Sequence, residues 1–418
     1  MTHAGCPTVA ANQGGNTRRY AHVALDRRAS FWVSAGVVAH TLWTSAAPAM
    51  TYRLYASEWH LTPTTTAEIF AIYPIVVVSV LILFGDLSDQ IGRRATMLLG
   101  LGASFAGALA LALAHDVSWL FVARAFMGVG VGLTAGPSTA AMVEFNESGA
   151  PRRASVVATA AQAAGFAAAL IIGGALTQYA PWPLHLVFWL LALLIAALFS
   201  VTWFLPLPAE RGAAGGWTPS LPSVPQRARK AFMVAAFAMI TAYTHGVIIL
   251  SLGGQIAHDL VQSPNTLVNG SILAVFAIMS GVVSLLGKSL STRTAMIAGA
   301  AASGAGMVLL AVATALHGMT LFLSATALTG TGYSLLFLSA LEVINRATPG
   351  DRRGGTLSAL YLLGYLAAGI LAPILLRVAT VHGLGFAVYL GAGVIAALSF
   401  ATLTLALGLR RIAKDERR

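Results

Sequence analysis

The sequence predicts an all-α polytopic membrane protein with twelve transmembrane helices in two six-helix, pseudo-symmetric bundles. Three observations carry this. Of 418 residues, 57% are hydrophobic and only 9% charged, against about 25% charged in an ordinary soluble domain; the mean hydropathy is +0.78. Twelve apolar runs follow one another, each long enough to cross a hydrocarbon core of ~30 Å as a helix. Charged landmarks of the first half return in the second at an offset of about 200 residues. The runs lack the alternation of ~10-residue transmembrane strands. In lipid, backbone polar groups must pair within their own segment, which leaves the helix.

In chain order, residues 1–28 read as a polar, basic, mobile tail. The first six runs fall near 29–50, 65–84, 95–114, 119–142, 154–176 and 183–205, forming an N-terminal bundle over 29–205. Residues 206–229, punctuated by Pro206, Pro208, Pro219, Pro222 and Pro225, read as a linker. The second six runs fall near 230–252, 266–287, 294–314, 319–344, 355–378 and 385–408, a C-terminal bundle over 230–408 followed by a basic tail, 409–418. The repeat is visible in residues. Arg94-Ala-Thr-Met-Leu-Leu-Gly matches Arg293-Thr-Ala-Met-Ile-Ala-Gly; Glu144, Pro151 and Arg152-Arg153 match Glu342, Pro349 and Arg352-Arg353. This pattern fits two parallel repeats about an axis along the membrane normal.

Lys and Arg fix the expected orientation. With a cytoplasmic N-terminus, 22 of them fall on the inner side, Arg53 and Arg377 on the outer side, and Arg124 inside the fourth run. Such a split predicts both termini in the cytoplasm and an inner, or plasma, membrane location. The net charge of +11 therefore belongs to membrane orientation rather than to nucleic acid. Cys6, the single cysteine, supports neither a disulfide nor a thiol metal site; no metal or cofactor is expected, and the chain is expected to be a monomer in the bilayer. No cleavable signal peptide is evident, and the first run reads as a retained anchor. No phosphate-binding Gly-Lys-Ser/Thr loop, His-Glu-x-x-His pair or Gly-x-Ser-x-Gly elbow is present, so an enzyme is not expected.

The densest charge in the first half is Gly85-Asp-Leu-Ser-Asp-Gln-Ile-Gly-Arg-Arg94. It joins the second and third runs, and glycine permits the tight turn it needs. Arginines alone would satisfy a positive-inside loop, but the spacing Gly85-x-Leu-x-Asp89-x-x-Gly92-Arg93-Arg94 resembles the signature loop of the major facilitator superfamily (MFS). Gln90 stands where that family usually has Arg. The resemblance implies alternating access by two rocking bundles, with this loop as a conformational switch. It also implies inner-gate ion pairs among Glu144, Arg152, Arg153, Arg293, Glu342, Arg352 and Arg353. In the second copy of the loop Lys288 stands where Asp89 would be.

Arg124, in Arg124-x-x-x-Gly128-x-Gly130-x-Gly132, resembles the second MFS signature, whose arginine is tied to proton transfer in proton-coupled relatives. A snorkelling arginine and close helix packing explain the same residues. Gly165-x-x-x-Ala169-Leu170-Ile-Ile-Gly173-Gly174 resembles the antiporter motif, with Ala-Leu in place of Gly-Pro. His40 and His245 sit in corresponding helices that line the cavity in MFS folds. Ionisable groups are costly in a membrane, and histidine titrates near neutral pH; both are proton-coupling candidates, or structural. Glu68, near the outer start of the second run, is, after Arg124 and the two histidines, a fourth proton-coupling candidate or a helix N-terminal acid. The expected cavity residues are His40, Trp43, Thr44, Tyr73, Gln162, Tyr243, His245, Asn269, Tyr333, Tyr361 and Tyr365. Each could instead be packing.

The reading is a secondary transporter, resembling bacterial twelve-helix drug and metabolite:proton antiporters. Its expected activity is proton-coupled efflux of a small lipophilic or cationic organic compound. Proton-coupled uptake of a nutrient such as a sugar or organic acid remains open, as does a non-transporting sensor on the same scaffold.

Overall fold

A computed structural model describes residues 24–206, 224–253, 256 and 264–415. Most of the expected N-terminal tail, most of the linker including Arg211, and residues 416–418 lie outside the described residues. Twelve long helices are present among the described residues. They are α1 Arg27–Ala46, α2 Pro63–Phe84, α3 Arg93–Ala112, α4 Val117–Glu144, α5 Pro151–Tyr179 and α6 Leu186–Thr202. The second set is α7 Arg229–Val247, α8 Thr266–Leu286, α9 Thr292–Leu316, α10 Met319–Ala347, α11 Arg353–His382 and α12 Leu384–Asp415. Nine of the described helices are long and apolar enough to cross a membrane, and α6 is a shorter apolar helix. No strand occurs among the described residues.

Local chemistry sets the helix ends. Asp26 caps α1 by accepting from Ala29 N (2.6 Å), and Thr62 caps α2 by accepting from Thr65 N (3.1 Å) with Pro63 behind it. Asp116 caps α4 by accepting from Ser118 N (2.8 Å), and Asn265 caps α8 by accepting from Leu267 N (2.9 Å). A side-chain acceptor satisfies amides that a helix start leaves unpaired. α1 ends where Pro48 enters a 3₁₀ turn, Ala47–Met50, and a separate short helix, Tyr52–Glu58, follows. α7 runs on as a π-helical turn, Ile248–Leu252.

Each half packs by the same scheme. α1 lies against α4 and α5, α3 between α4 and α6, and α2 on α4. In the second half α7 lies against α10 and α11, α9 between α10 and α12, and α8 on α10. The halves meet along two seams, α2 with α11 and α5 with α8. Small residues permit the crossings. A Cβ on Gly128 would fall 2.9 Å from Tyr73 O, and one on Gly132 2.7 Å from Val80, both on α2; one on Gly130 would collide with Ser104 of α3. The glycines after Arg124 therefore seat α4 between two neighbours. In the fifth run, Gly165 meets the backbone of Ala39 on α1, and Gly174 that of Thr266 at the start of α8.

Candidate functional site

The loop at 85–94 lies against the start of α11. Gly92 adopts φ +94, which an L side chain rarely does. Gly85 does not: its φ of −62 suits any residue, so the expected need for glycine there fails. Leu87–Gln90 form one helical turn, and Gln90 Nε2 donates to Asp86 Oδ2 (3.2 Å). Asp89 faces the other half. Its Oδ1 accepts from Gly354 N (3.2 Å) and its Oδ2 from Gly355 N (2.7 Å). A carboxylate thus caps the positive end of α11 across the interface. Arg93, 7% exposed, holds that carboxylate in place by an ion pair to Asp89. It also donates to Ser88 Oγ (2.7 Å), Glu144 Oε1 (3.1 Å) and, across the interface, Gly350 O (3.2 Å).

The second seam is locked differently. Arg152, at the start of α5, donates to Gly287 O and Lys288 O (both 2.7 Å) and pairs with Glu342 of α10. Glu342 is fully buried and also binds Arg346 (2.5 Å). Asn345 Nδ2 donates to Ser155 Oγ (3.2 Å) beside it. The first seam presents a carboxylate to helix amides. The second presents loop carbonyls to a guanidinium, which accounts for the weak second copy of the motif.

The other expected gate arginines form no ion pair with an acid among the described residues. Arg94 donates to Leu205 O (3.2 Å) beyond α6 and lies over Trp203. Its repeat partner Arg293 donates to Ala406 O (3.3 Å) and Leu407 O (3.4 Å) of α12. Both therefore tie the last helix of their own half. Arg153 lies over the Phe31 ring, Arg353 donates to Thr348 O (3.3 Å), and Arg352 is exposed.

Between the halves lies a cavity of about 70 Å³, and towards the end opposite the loop a vestibule of about 490 Å³; Phe70 lines both. Four expected residues wall the inner cavity: Tyr73, Tyr243, Tyr333 and Tyr365. Tyr73 and Tyr365 bring their hydroxyls within 3.4 Å across the α2–α11 seam, and the Tyr243 and Tyr365 rings meet edge to face at 4.9 Å. Tyr361 and Gln162 stand one layer back. Tyr361 shares a hydrogen bond with Thr139 Oγ1 (3.0 Å), and Gln162 Oε1 accepts from Tyr333 (3.1 Å).

His40, Trp43, Thr44, His245 and Asn269 line neither cavity. Both histidines are buried, each with Nδ1 against a carbonyl of its own helix: Val37 O (3.3 Å) and Thr241 O (2.7 Å). The Nε2 of each ring is buried without a hydrogen-bond partner among the described residues. Glu68 is exposed and lines neither cavity, although Thr66 and Ala67 beside it line the vestibule. Residues that line the inner cavity without being foreseen include Leu42, Ser45, Phe70, Phe166, Val247 and Phe276. Most sit within one helical turn of a residue that was foreseen, as Phe70 does of Tyr73 and Phe166 of Gln162; that spacing was the available signal.

Arg124 lies directly behind this wall. It is 1% exposed, donates to Ser45 O (3.3 Å), and stands 4.3 Å from the centre of the Tyr73 ring. Only neutral groups hold it among the described residues, a cation–π contact and a carbonyl where a buried cation would ordinarily find an acid.

The latch makes a steric prediction. A Cβ on Gly354 would collide with Arg93 Nη1, Ser88 Oγ and Asp89 Oδ1, whereas one on Gly355 would rest 3.3 Å from Asp89 Oδ2. Gly354→Ala is expected to loosen this end more than Gly355→Ala. Protease nicking or thiol accessibility at the loop, compared between the two, checks it; equal behaviour would remove Gly354 from the latch.

The Major Facilitator Superfamily profile matches residues 32–291. The multidrug efflux pump LfrA of Mycolicibacterium smegmatis is 36% identical over 132 residues, 31% of this chain and 26% of that protein. The uncharacterized MFS-type transporter EfpA of Mycobacterium tuberculosis is 31% identical over 124 residues, 29% of this chain and 23% of that protein. These matches span about a quarter of each relative's length. Among solved structures, the human organic anion transporter MFSD10 (TETRAN) superposes with a TM-score of 0.69 over 91% of this chain and 99% of that one; at 15% identity the likeness is one of fold.

Proposed function

The chain belongs to the Major Facilitator Superfamily, and on that premise we propose that it exports a small, largely lipophilic organic compound in exchange for protons. The bundles 29–205 and 230–408 are the rocking bodies, joined by 206–229. The switch-loop end faces the cytoplasm with both termini, in the inner membrane, as the distribution of Lys and Arg supports. One observation carries the reading. Asp89 on Gly354 and Gly355, with Arg152 on Glu342, pins the halves together at one end, while the vestibule stands at the other. That is one state of an alternating-access cycle, and the pins are polar contacts that water can replace when the halves part. The efflux direction draws on the likeness to LfrA. No carboxylate lines either cavity among the described residues, which favours a lipophilic over a cationic compound. Arg124, buried beside Tyr73 and Ser45, is the group that couples protons to the site.

The test uses inside-out vesicles made acidic within and read by a pH-sensitive dye while lipophilic compounds are added. Proton release on addition, absent with Arg124→Ala, is the expected result. No release, together with uptake of a nutrient into right-side-out vesicles, would replace export by symport. Silence in both would favour a sensor.

A further inference from the structure

Arg53 and Arg377 are the two exceptions to the charge distribution of this chain, basic residues at the end that the rest avoid. Both line the same vestibule. They come from opposite halves, Arg53 from the short helix before α2 and Arg377 from α11. Neither pairs with an acid among the described residues; Glu58 and Glu68 are the acids nearest Arg53 in sequence, and both are exposed outside the vestibule wall. Deeper in, Arg124 adds a third positive charge behind the wall of the inner cavity, held by neutral groups alone.

We propose that the vestibule is built for an amphipathic organic anion, a carboxylate or sulfonate on an aromatic or aliphatic body, with Arg53 and Arg377 as its counter-charges. The proposal rests on the transporter reading above and names the substrate class of that site. A cleft lined by one sign of charge between low-dielectric walls concentrates the opposite ion. A cation entering here would meet Arg53 and Arg377 with no acid among the described lining residues to offset them. A neutral compound would gain nothing from either. The remaining wall suits the body of such an anion: Phe70 and Leu376 are apolar, and Thr64, Thr66 and Thr380 offer hydroxyls. The volume of about 490 Å³ lies in the range that holds a drug-sized ligand.

The experiment measures equilibrium binding to the full chain in phosphatidylcholine nanodiscs, using three probes of one shape: naphthoate, naphthamide and naphthylmethylammonium. Naphthoate is expected to bind about tenfold more tightly than the other two and to weaken as salt rises. Arg53→Gln with Arg377→Gln, both solvent-exposed positions, is expected to cost naphthoate about tenfold while leaving naphthamide within about twofold; the paired Lys substitutions are expected to keep most of the preference. Equal binding of the three probes, no binding, a preference for the ammonium, or a preference indifferent to the Gln pair would overturn the proposal. A second arm adds phosphatidylglycerol to the nanodiscs. If that lipid displaces naphthoate, the arginines hold lipid headgroups and the proposal falls. Proton release by other compounds would still stand in that case. Arginine-dependent naphthoate binding without any flux would instead sink the transporter reading alone.

Discussion

Asp89→Asn is expected to shift the balance between closed and open at the switch-loop end by roughly thirtyfold towards open, about 2 kcal/mol. The carboxylate accepts from Gly354 N and Gly355 N with separate oxygens and is paired to Arg93. Asparagine keeps one acceptor and loses the charge, and hence its attraction to the positive end of α11. Arg93 then retains Glu144, Ser88 and Gly350 O, so the first half itself should stay folded. The loss therefore falls on the interface. Spin labels at Glu147→Cys and Ser289→Cys, exposed sites on either half, with Cys6 replaced, would report the separation by pulsed resonance. Arg94→Gln is the control. Among the described residues that arginine donates to Leu205 O and lies over Trp203, both in its own half, so its removal should leave the distances alone. If Asp89→Asn leaves the distance distribution unchanged, the loop is a turn and nothing more.

The helices and the contacts of the loop at 85–94 were legible in the sequence for a common reason. Apolar length marks a membrane span whatever its neighbours are, and a short charged loop between two spans has few places to go. The expected runs and the observed helices agree to within a few residues, except that α12 continues to Asp415 where the run was expected to stop near 408. The cavity was harder to see. On α1 the foreseen residues were His40, Trp43 and Thr44, and the lining ones are Leu42 and Ser45. Successive helical residues point about 100° apart, so identifying the helix does not identify its face. The histidines lie off both cavities for another reason. In lipid a polar ring looks expensive, yet a carbonyl one turn back satisfies one of its nitrogens, as Val37 O and Thr241 O do. The gate arginines misled because opposite charges on adjoining segments suggest pairs. Arg94 instead takes a carbonyl just past α6, and Arg293 carbonyls of α12.

Glu342→Gln is expected to weaken the second lock by about 3 kcal/mol, roughly a hundredfold in the closed-to-open ratio. Glu342 is fully buried between Arg152 and Arg346, whose side chains are 15% and 59% exposed. Arg346 can turn to water when the acid is gone. Arg152 cannot do so while the halves are closed, and it is left with Gly287 O and Lys288 O alone. Breaking a buried pair from one side costs more than the pair contributes, because a charge stays behind without its partner. In the open state both side chains reach water, so the cost falls on the closed state rather than on folding. That is what separates a gate from a structural salt bridge. A double-mutant cycle makes the distinction measurable. Arg152→Ala alone should also favour the open state, and adding Glu342→Gln to it should cost little more, because the stranded charge is then absent on both sides. The same labelled pair, read in all four proteins, gives the coupling. Additive effects, or a loss of thermal stability with no change in separation, would place Arg152 and Glu342 in the scaffold instead of the lock.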